Sequence, residues 1–248
     1  MNLTNRVVLI TGASGLLGKA IAPELARAGA ALALHFNQNE QRATSIQQRI
    51  ITAGGIAKIY QADLRQVAAA EELADRVLAD FHRLDVIIHA AGNFPQMPFG
   101  QITEPHWDEI FGTHLKGFFF LAQKAAPALR EAKGKILIFS DIAAYRPYQS
   151  FIPYSAAKAA LLSLNKSLAR VLAPEVTVNA IAPGIIQRSE MPEIQKAKLR
   201  QRIPLQRFGT TKEVSRVVLF LLREADYTTG SVLTMDGGRV LNDTGTNS

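Results

Sequence analysis

The chain has 248 residues, of which 48% are hydrophobic and 20% are charged, a composition typical of an ordinary globular protein. It contains no cysteine, which excludes disulfides, thiolate zinc sites and a cysteine nucleophile and fits a reducing, cytoplasmic location. The formal net charge of +7 comes from Lys and Arg spread along the chain, and no apolar stretch has the length of a membrane span, so we expect neither nucleic acid nor a membrane as partner.

Short apolar segments alternate along the chain with longer segments of helical period. Arg6–Thr11 predicts a strand buried on both faces, because its residues do not alternate, and Leu17–Ala28 predicts a helix that ends at Gly29. The further predicted strands are Ala31–Phe36, Ala57–Gln61, Val86–His89, Lys135–Ser140, Thr177–Ile181 and Ser231–Met235. The further predicted helices are Glu40–Ala53, Val67–Phe81, Glu104–Ala132, Pro153–Leu172, Glu190–Gln201 and Lys212–Leu222.

This alternation predicts an α/β fold, a Rossmann-type doubly wound parallel sheet of about seven strands with helices on both faces. No linker divides the sequence, so we expect one domain over residues 1–248, with a frayed polar tail from Asn242 to Ser248. The helices Glu104–Ala132 and Pro153–Leu172 are apolar on more than one face, which predicts a homo-oligomer.

A glycine-rich segment, Thr11-Gly-Ala-Ser-Gly-Leu-Leu-Gly18, lies between the first strand and the first helix. A dinucleotide site needs glycines here for a tight turn, for close approach to the pyrophosphate and for packing of helix on strand. The unpaired amides that open the helix would meet the phosphates. Three glycines also fit a plain loop, but the flanking strand and helix favour cofactor binding, with Gly12, Ser14, Leu17 and Gly18 as the contacts.

The end of the second strand bears on the choice of cofactor. An NAD-binding site usually carries Asp or Glu there for the ribose hydroxyls, whereas this chain has no acid between His35 and Glu40. A carboxylate would repel a 2′-phosphate, so its absence favours NADP, with NAD as the alternative. The usual arginine is also missing, and Arg42 is the candidate substitute. His35 and Asn37 are predicted to lie against the adenosine.

Tyr154 and Lys158 are four residues apart on a predicted helix, so both project from one face. An ammonium beside a phenol favours the phenolate and makes tyrosine a usable general acid near neutral pH. The pair predicts proton transfer to a substrate. Two unrelated residues on an exposed helix are the alternative.

Other motifs recur in the order and spacing of one enzyme family. They are Asp63 after the third strand, His89-Ala-Ala-Gly92 after the fourth, Val178-Asn-Ala-Ile-Ala-Pro-Gly184, Thr229-Gly230 and Asp236-Gly-Gly238. With the glycine loop and the Tyr154/Lys158 pair, the chain resembles the short-chain dehydrogenase/reductases from about Val7 to Gly238. The resemblance implies a tetramer, and it implies adenine contacts at Asp63 and Leu64, ribose contacts at Ala91, Gly92 and Lys158, and nicotinamide contacts at Pro183, Gly184 and Ile186.

The chain departs from that family pattern at three places. Asp141 stands where the family has its catalytic serine, thirteen residues before the tyrosine, His114 replaces the helix asparagine, and His89-Ala90 replaces an asparagine pair. A neutral imidazole can donate and accept, so His114 is a candidate for a proton relay, with a buried structural histidine as the alternative. The remaining histidines show no spacing typical of a metal site, and we expect no metal site in this chain.

Asp141, followed by Arg146-Pro147, resembles the pteridine reductase branch of the family, and Phe94 matches the aromatic residue that stacks on the pterin there. An ionised carboxylate accepts hydrogen bonds. It is therefore better suited to a substrate ring that carries N–H donors than to a substrate that presents a carbonyl oxygen. Against this, Gly15 and Leu16 replace the branch's usual basic pair.

The sequence therefore favours the hypothesis that this protein is an NADP-dependent reductase of a C=N bond in a dihydropterin- or dihydrofolate-like small molecule. Tyr154 would donate the proton, Asp141 would orient or help protonate the substrate, and Phe94 would stack on it. A general carbonyl or 3-oxoacyl reductase of the same family is the alternative. An alternative of another class is a pseudo-enzyme that binds cofactor without turnover.

Overall fold

The computed structural model describes residues 1–187 and 192–241, and a seven-stranded parallel sheet forms its centre. Four of the strands, Val7–Thr11, Ala31–Phe36, Val86–His89 and Lys135–Phe139, are mostly apolar and are buried along their whole length. The strands are β1 (Val7–Thr11), β2 (Ala31–Phe36), β3 (Ile56–Gln61), β4 (Val86–His89), β5 (Lys135–Phe139), β6 (Thr177–Pro183) and β7 (Val232–Met235), in the spatial order β3-β2-β1-β4-β5-β6-β7.

Helices cover both faces of this sheet. They are α1 (Gly18–Arg27), α2 (Glu40–Thr52), α3 (Val67–Phe81), α4 (Glu104–Phe111), α5 (Gly117–Glu131), α6 (Ile152–Leu172), α7 (Glu193–Arg200) and α8 (Thr211–Arg223). One hydrophobic core packs α1, α2 and α8 on one face, and a second packs α3, α5 and α6 on the other. The doubly wound parallel fold expected from the sequence is confirmed.

The helix predicted over Glu104–Ala132 is helical to Glu131 without interruption, but a π-helical turn, Gly112–Lys116, divides it into α4 and α5. At this point the chain passes very close to the segment after β3, since a Cβ added to Gly117 would lie 1.9 Å from the Leu64 carbonyl oxygen. Such π turns occur often at functional sites.

The helix predicted over Glu190–Gln201 begins only at Glu193, after Pro192, which fixes an extended conformation before the first turn. Residues 188–191 and the predicted polar tail Asn242–Ser248 lie outside the described residues. The other predicted strands and helices agree with the structure to within two residues at each end. In the described part of the chain, no helix combines the length and hydropathy needed to cross a bilayer.

Candidate active site

The predicted site residues gather at the carboxyl ends of the strands. Strand order reverses between β1 and β4, because the chain winds outwards from β1 to β3 and then returns to the other side. In open α/β sheets a crevice forms at this reversal and binds ligands. The glycine loop follows β1 and the His89–Gly92 segment follows β4, so both line the crevice.

The glycine loop is packed closely against its neighbours and leads into the start of α1. Gly12 has a φ of +70°, and a Cβ there would lie 2.6 Å from the Ala91 Cα, so only glycine fits. A Cβ on Gly18 would lie 2.6 Å from the Ala13 Cα, which shows the close packing of α1 on the loop. No side chain caps α1 at Leu17 and no acid stands in its first turn. Its opening amides and positive dipole end therefore suit an anion.

His35 holds the glycine loop in position through two hydrogen bonds. Its Nδ1 accepts a hydrogen bond from the Gly12 amide at 3.1 Å, and its Nε2 donates to the Ala62 carbonyl at 3.0 Å. Burial lowers the pKa of His35 to about 4, so the ring stays neutral, as this pair of contacts requires. Both nitrogens are used within the protein, so His35 positions the loop, and its contact with the adenosine stays a prediction.

The end of the crevice where the adenosine is expected carries charge of both signs. Arg65 holds Asp63 through two parallel hydrogen bonds, Nε to Oδ1 at 2.9 Å and Nη2 to Oδ2 at 2.6 Å. These bonds keep the pKa of Asp63 below its usual range. On the opposite side, exposed Arg42 reaches the glycine loop, with Nη1 3.4 Å from the Ser14 carbonyl oxygen. Asn37 is exposed at the end of β2 next to it.

The segments after β4 and β6 close the end of the crevice where the nicotinamide is expected. The Ala91 amide donates to Thr11 Oγ1 at 3.2 Å, and a Cβ on Gly92 would lie 2.2 Å from the His114 ring. The segment after β4 is therefore tightly packed. Beyond Pro183, the Gly184 amide donates to the Met235 carbonyl at 2.9 Å. Buried Leu64 and Ile186 supply apolar surface at the two ends of the crevice.

Tyr154, Lys158 and Asp141 meet in one place, as the sequence predicted for a reacting group. The Tyr154 hydroxyl donates to Asp141 Oδ2 at 2.9 Å, and Lys158 Nζ lies 5.5 Å from the centre of the Tyr154 ring. Lys158 also donates to the Phe139 carbonyl at 2.7 Å, which fixes the long side chain. A phenol thus lies between a carboxylate and an ammonium.

Burial perturbs both charged partners of the phenol. It raises the pKa of Asp141 above its usual range, although hydrogen bonds from the Ala143 amide and the Tyr154 hydroxyl and the charge of Lys158 oppose the shift. It lowers the pKa of Lys158 to about 8, and the Asp141 charge opposes that shift. Two groups that change protonation closer to neutrality than usual are what acid–base chemistry needs.

A buried chain of hydrogen bonds runs behind this centre. His89 Nε2 faces the His114 carbonyl at 3.0 Å and must donate to it, so Nδ1 accepts from the Thr11 hydroxyl at 2.9 Å. His114 Nε2 lies 3.0 Å from the Asn93 carbonyl oxygen. Its Nδ1 is buried and has no partner among the described residues, and burial holds its pKa well below the usual range. His114 packs edge-to-face on Tyr154, with ring centres 5.4 Å apart.

Phe94 heads an aromatic group that the sequence analysis found only in part. Its ring is 41% exposed, stacks on Phe151 at 4.0 Å and meets Tyr154 edge-to-face at 4.6 Å. Tyr148 completes the group at 6.3 Å from Phe94. Phe151 and Tyr148 were missed because neither lies in a motif. An aromatic residue just before the predicted helix of Tyr154 was the one available signal.

Comparison with known proteins agrees with this arrangement. A family model described as enoyl-(acyl carrier protein) reductase matches residues 12–239. The 3-oxoacyl-[acyl-carrier-protein] reductase FabG of Staphylococcus epidermidis is 31% identical over 240 residues, which cover 94% of this chain and 98% of the relative. The 3-oxoacyl-[acyl-carrier-protein] reductase of Synechocystis is 32% identical over 243 residues, which cover 96% and 98%.

Solved structures give the same result. A short-chain dehydrogenase/reductase from Serratia marcescens superposes with a TM-score of 0.90 at 28% identity, covering 97% of this chain and all of that one. A blue fluorescent protein from a metagenomic library, in complex with NADPH, superposes with a TM-score of 0.90 at 27% identity, covering 96% and 99%. The chain is therefore an oxidoreductase that belongs to the short-chain dehydrogenase/reductase family.

Proposed function

We propose that this protein uses NADPH to reduce a C=N bond in a dihydropterin- or dihydrofolate-like ring. The observation that carries the proposal is the hydrogen bond from the Tyr154 hydroxyl to Asp141 Oδ2 at 2.9 Å. A serine at this place would donate to a carbonyl oxygen, but a carboxylate would repel that oxygen and the negative charge that develops on it. A ring with N–H and amino donors matches the carboxylate.

Four side chains have separate roles in the proposed reaction. The crevice would hold NADPH, and the chemistry it would supply when bound is a hydride for the carbon of the C=N bond. The Tyr154 hydroxyl gives its proton to the ring nitrogen and is later reprotonated from solvent, while Lys158 stabilises the phenolate. Asp141 turns from Tyr154 to accept a hydrogen bond from the ring. Phe94, half-exposed above the phenol, offers a face on which the ring can stack.

The preference for NADPH rests on Arg42. Its guanidinium lies over the Ser14 carbonyl of the phosphate loop, close to the end of β2, and no acid stands between His35 and Glu40 to repel a 2′-phosphate. Replacing Arg42 with Ala should raise the KM for NADPH about tenfold and leave the KM for NADH unchanged within about twofold. Equal effects on both cofactors would contradict this assignment.

A second candidate is the reduction of a 3-oxoacyl thioester. The observation in its favour is that the relatives described above carry the name 3-oxoacyl-[acyl-carrier-protein] reductase and span almost the whole chain. They favour this candidate more directly than the pterin reading. Neither candidate needs a metal, and the described residues contain no cluster of His, Asp and Glu that could hold one.

Oxidation of NADPH, followed by its absorbance, separates the candidates. We expect dihydrobiopterin and dihydrofolate to be turned over by the wild type and a 3-oxoacyl thioester to be turned over at least about a hundredfold less efficiently. Asp141→Ser should reverse part of this preference, since it restores a hydroxyl donor. Turnover of the thioester alone would reject the pterin reading. Cofactor binding without any turnover, unchanged in Tyr154→Phe, would favour a pseudo-enzyme.

A further inference from the structure

The turn after β7 brings an arginine to the crevice. β7 is parallel to the other strands, so the segment Asp236–Val240 leaves the sheet at the edge that carries the site. Asp236 Oδ1 accepts from the Gly238 amide at 2.9 Å, and Oδ2 accepts from the Val240 amide at 2.6 Å. A Cβ on Gly184 would lie 2.8 Å from Asp236, so the turn packs directly on the expected nicotinamide end. These contacts fix the position of Arg239.

The Arg239 side chain lies on the outer side of the aromatic group. Its Cζ is 5.5 Å from the centre of the Tyr148 ring, and that ring is 6.3 Å from Phe94. The Arg239 carbonyl accepts a hydrogen bond from Arg146 Nη1 at 3.3 Å, which holds the backbone of the turn against the segment after β5. A substrate that stacks on Phe94 and extends outwards past Tyr148 therefore reaches the Arg239 guanidinium.

The Arg239 guanidinium has no salt-bridge partner in the described part of the chain, although the Asp141 carboxylate lies within electrostatic range of it. Within residues 1–187 and 192–241, no carboxylate lies close enough to form an ion pair with it, and Asp236, its neighbour in sequence, is already occupied by backbone amides. Arg239 acts electrostatically on Asp141 and on Tyr148, so it lies within reach of the reacting centre. A planar fork of N–H donors, stacked on an aromatic ring, is suited to a carboxylate or phosphate.

We propose that Arg239 binds an anionic group, a carboxylate or a phosphate, on the part of the substrate that extends away from the reduced ring. The inference rests on the proposed function of the site and adds a selectivity to it: a ring with an anionic tail binds better than the same ring with a neutral one. Asp141 and Arg239 then divide recognition, the carboxylate binding the N–H groups of the ring and the guanidinium the oxygens of the tail.

The test is equilibrium binding to the NADP-loaded protein, measured by calorimetry apart from turnover. Folate carries carboxylates, neopterin phosphate carries a phosphate, and biopterin carries a neutral side chain. Arg239→Met keeps an unbranched apolar side chain beside Tyr148 but removes the charge, and Arg239→Lys restores the charge without the fork. Arg170→Met, an exposed arginine on α6, is the matched control.

In Arg239→Met we expect the Kd for folate, neopterin phosphate or both to rise about tenfold or more, and the Kd for biopterin to change less than about twofold. Arg239→Lys should recover part of the loss, and Arg170→Met should match the wild type. A loss for one anion only identifies which anion the site takes. Equal changes for all three ligands, or none, would overturn the inference.

Failure of the proposed function has a different signature. Selective binding of the anionic ligands, lost in Arg239→Met, without turnover of any reduced pterin would remove the ring chemistry and leave the anion site standing. Turnover of dihydropterins that is indifferent to the tail would leave the ring chemistry and remove the anion site. No binding of any of the three ligands to the wild type would remove both.

Discussion

The charge of Asp141 should be visible in the pH dependence of the wild type and of Asp141→Asn. Proton donation from Tyr154 needs a charged Lys158, whose pKa burial lowers to about 8. Reductase activity is therefore full below that pKa and is lost as the pH rises through it. Asp141 opposes the lowering, so Asp141→Asn, which removes the charge but keeps the shape, should move this alkaline limb to lower pH.

The size of the shift follows from the geometry. Lys158 Nζ lies 5.5 Å from the centre of the Tyr154 ring, and Asp141 Oδ2 lies 2.9 Å from the hydroxyl of that ring. With about 2.8 Å from the ring centre to the hydroxyl oxygen, the two charges are at most about 11 Å apart, and at that separation opposite charges interact by about 1.5 kcal/mol at an effective dielectric constant of about 20. Allowing for screening and relaxation, we expect the limb to move by about one pH unit.

The assay is kcat/KM for the pterin at saturating NADPH, measured from about two pH units below the limb to two above it. Asp141→Ser should give the same shift, because it removes the same charge, and its kcat/KM near neutrality should fall about ten- to a hundredfold with the lost acceptor. An alkaline limb that stays in place, or moves to higher pH, in both variants would refute the electrostatic coupling of Asp141 to Lys158.

Three further predictions concern the proton donor, the packing of α5 and the assembly. Tyr154→Phe should lower kcat by about a hundredfold or more and leave the Kd for NADPH within about twofold, as measured by stopped-flow and calorimetry. Gly117→Ala should lower the thermal midpoint by several degrees, because its Cβ would collide with the Leu64 carbonyl, whereas Gly100→Ala, which meets nothing within 4 Å, should not. We propose a homotetramer in which a neighbouring chain covers half-exposed Phe220 on α8. Light scattering should then give the mass of four chains for the wild type and a smaller mass for Phe220→Glu. A monomeric wild type would contradict the proposal.

The sheet was predictable because its order follows from local patterns. Unbroken apolar runs such as Val86–His89 have to be buried on both faces, and regular alternation with helices leaves few ways to arrange them. The π turn between α4 and α5 was not predictable, because Gly112–Lys116 contains no proline or other local signal that would end a helix. The close approach of Gly117 to the distant Leu64 was not predictable either, since no local pattern contains it.

The reacting residues of the site were predictable from the sequence, but the residues that hold them in position were not. The spacing of Tyr154 and Lys158 already places both on one helical face, and the family resemblance implied Asp141 beside them. The structure adds the hydrogen bond from the Tyr154 hydroxyl to Asp141. The bracing role of His35 and the approach of Arg239 to Tyr148 join segments far apart in the sequence. Only the topology of the sheet brings them together.

The proposed reaction depends on a carboxylate that accepts hydrogen bonds from the substrate ring beside the proton-donating phenol. A crystal structure of the protein with NADP and a dihydropterin tests this directly. We expect the ring to lie between Phe94 and the nicotinamide, with N–H donors within hydrogen-bond distance of Asp141 and the reducible nitrogen at the Tyr154 hydroxyl. A ring bound elsewhere, or one that presents a carbonyl oxygen to Tyr154 while Asp141 faces away, would contradict the account.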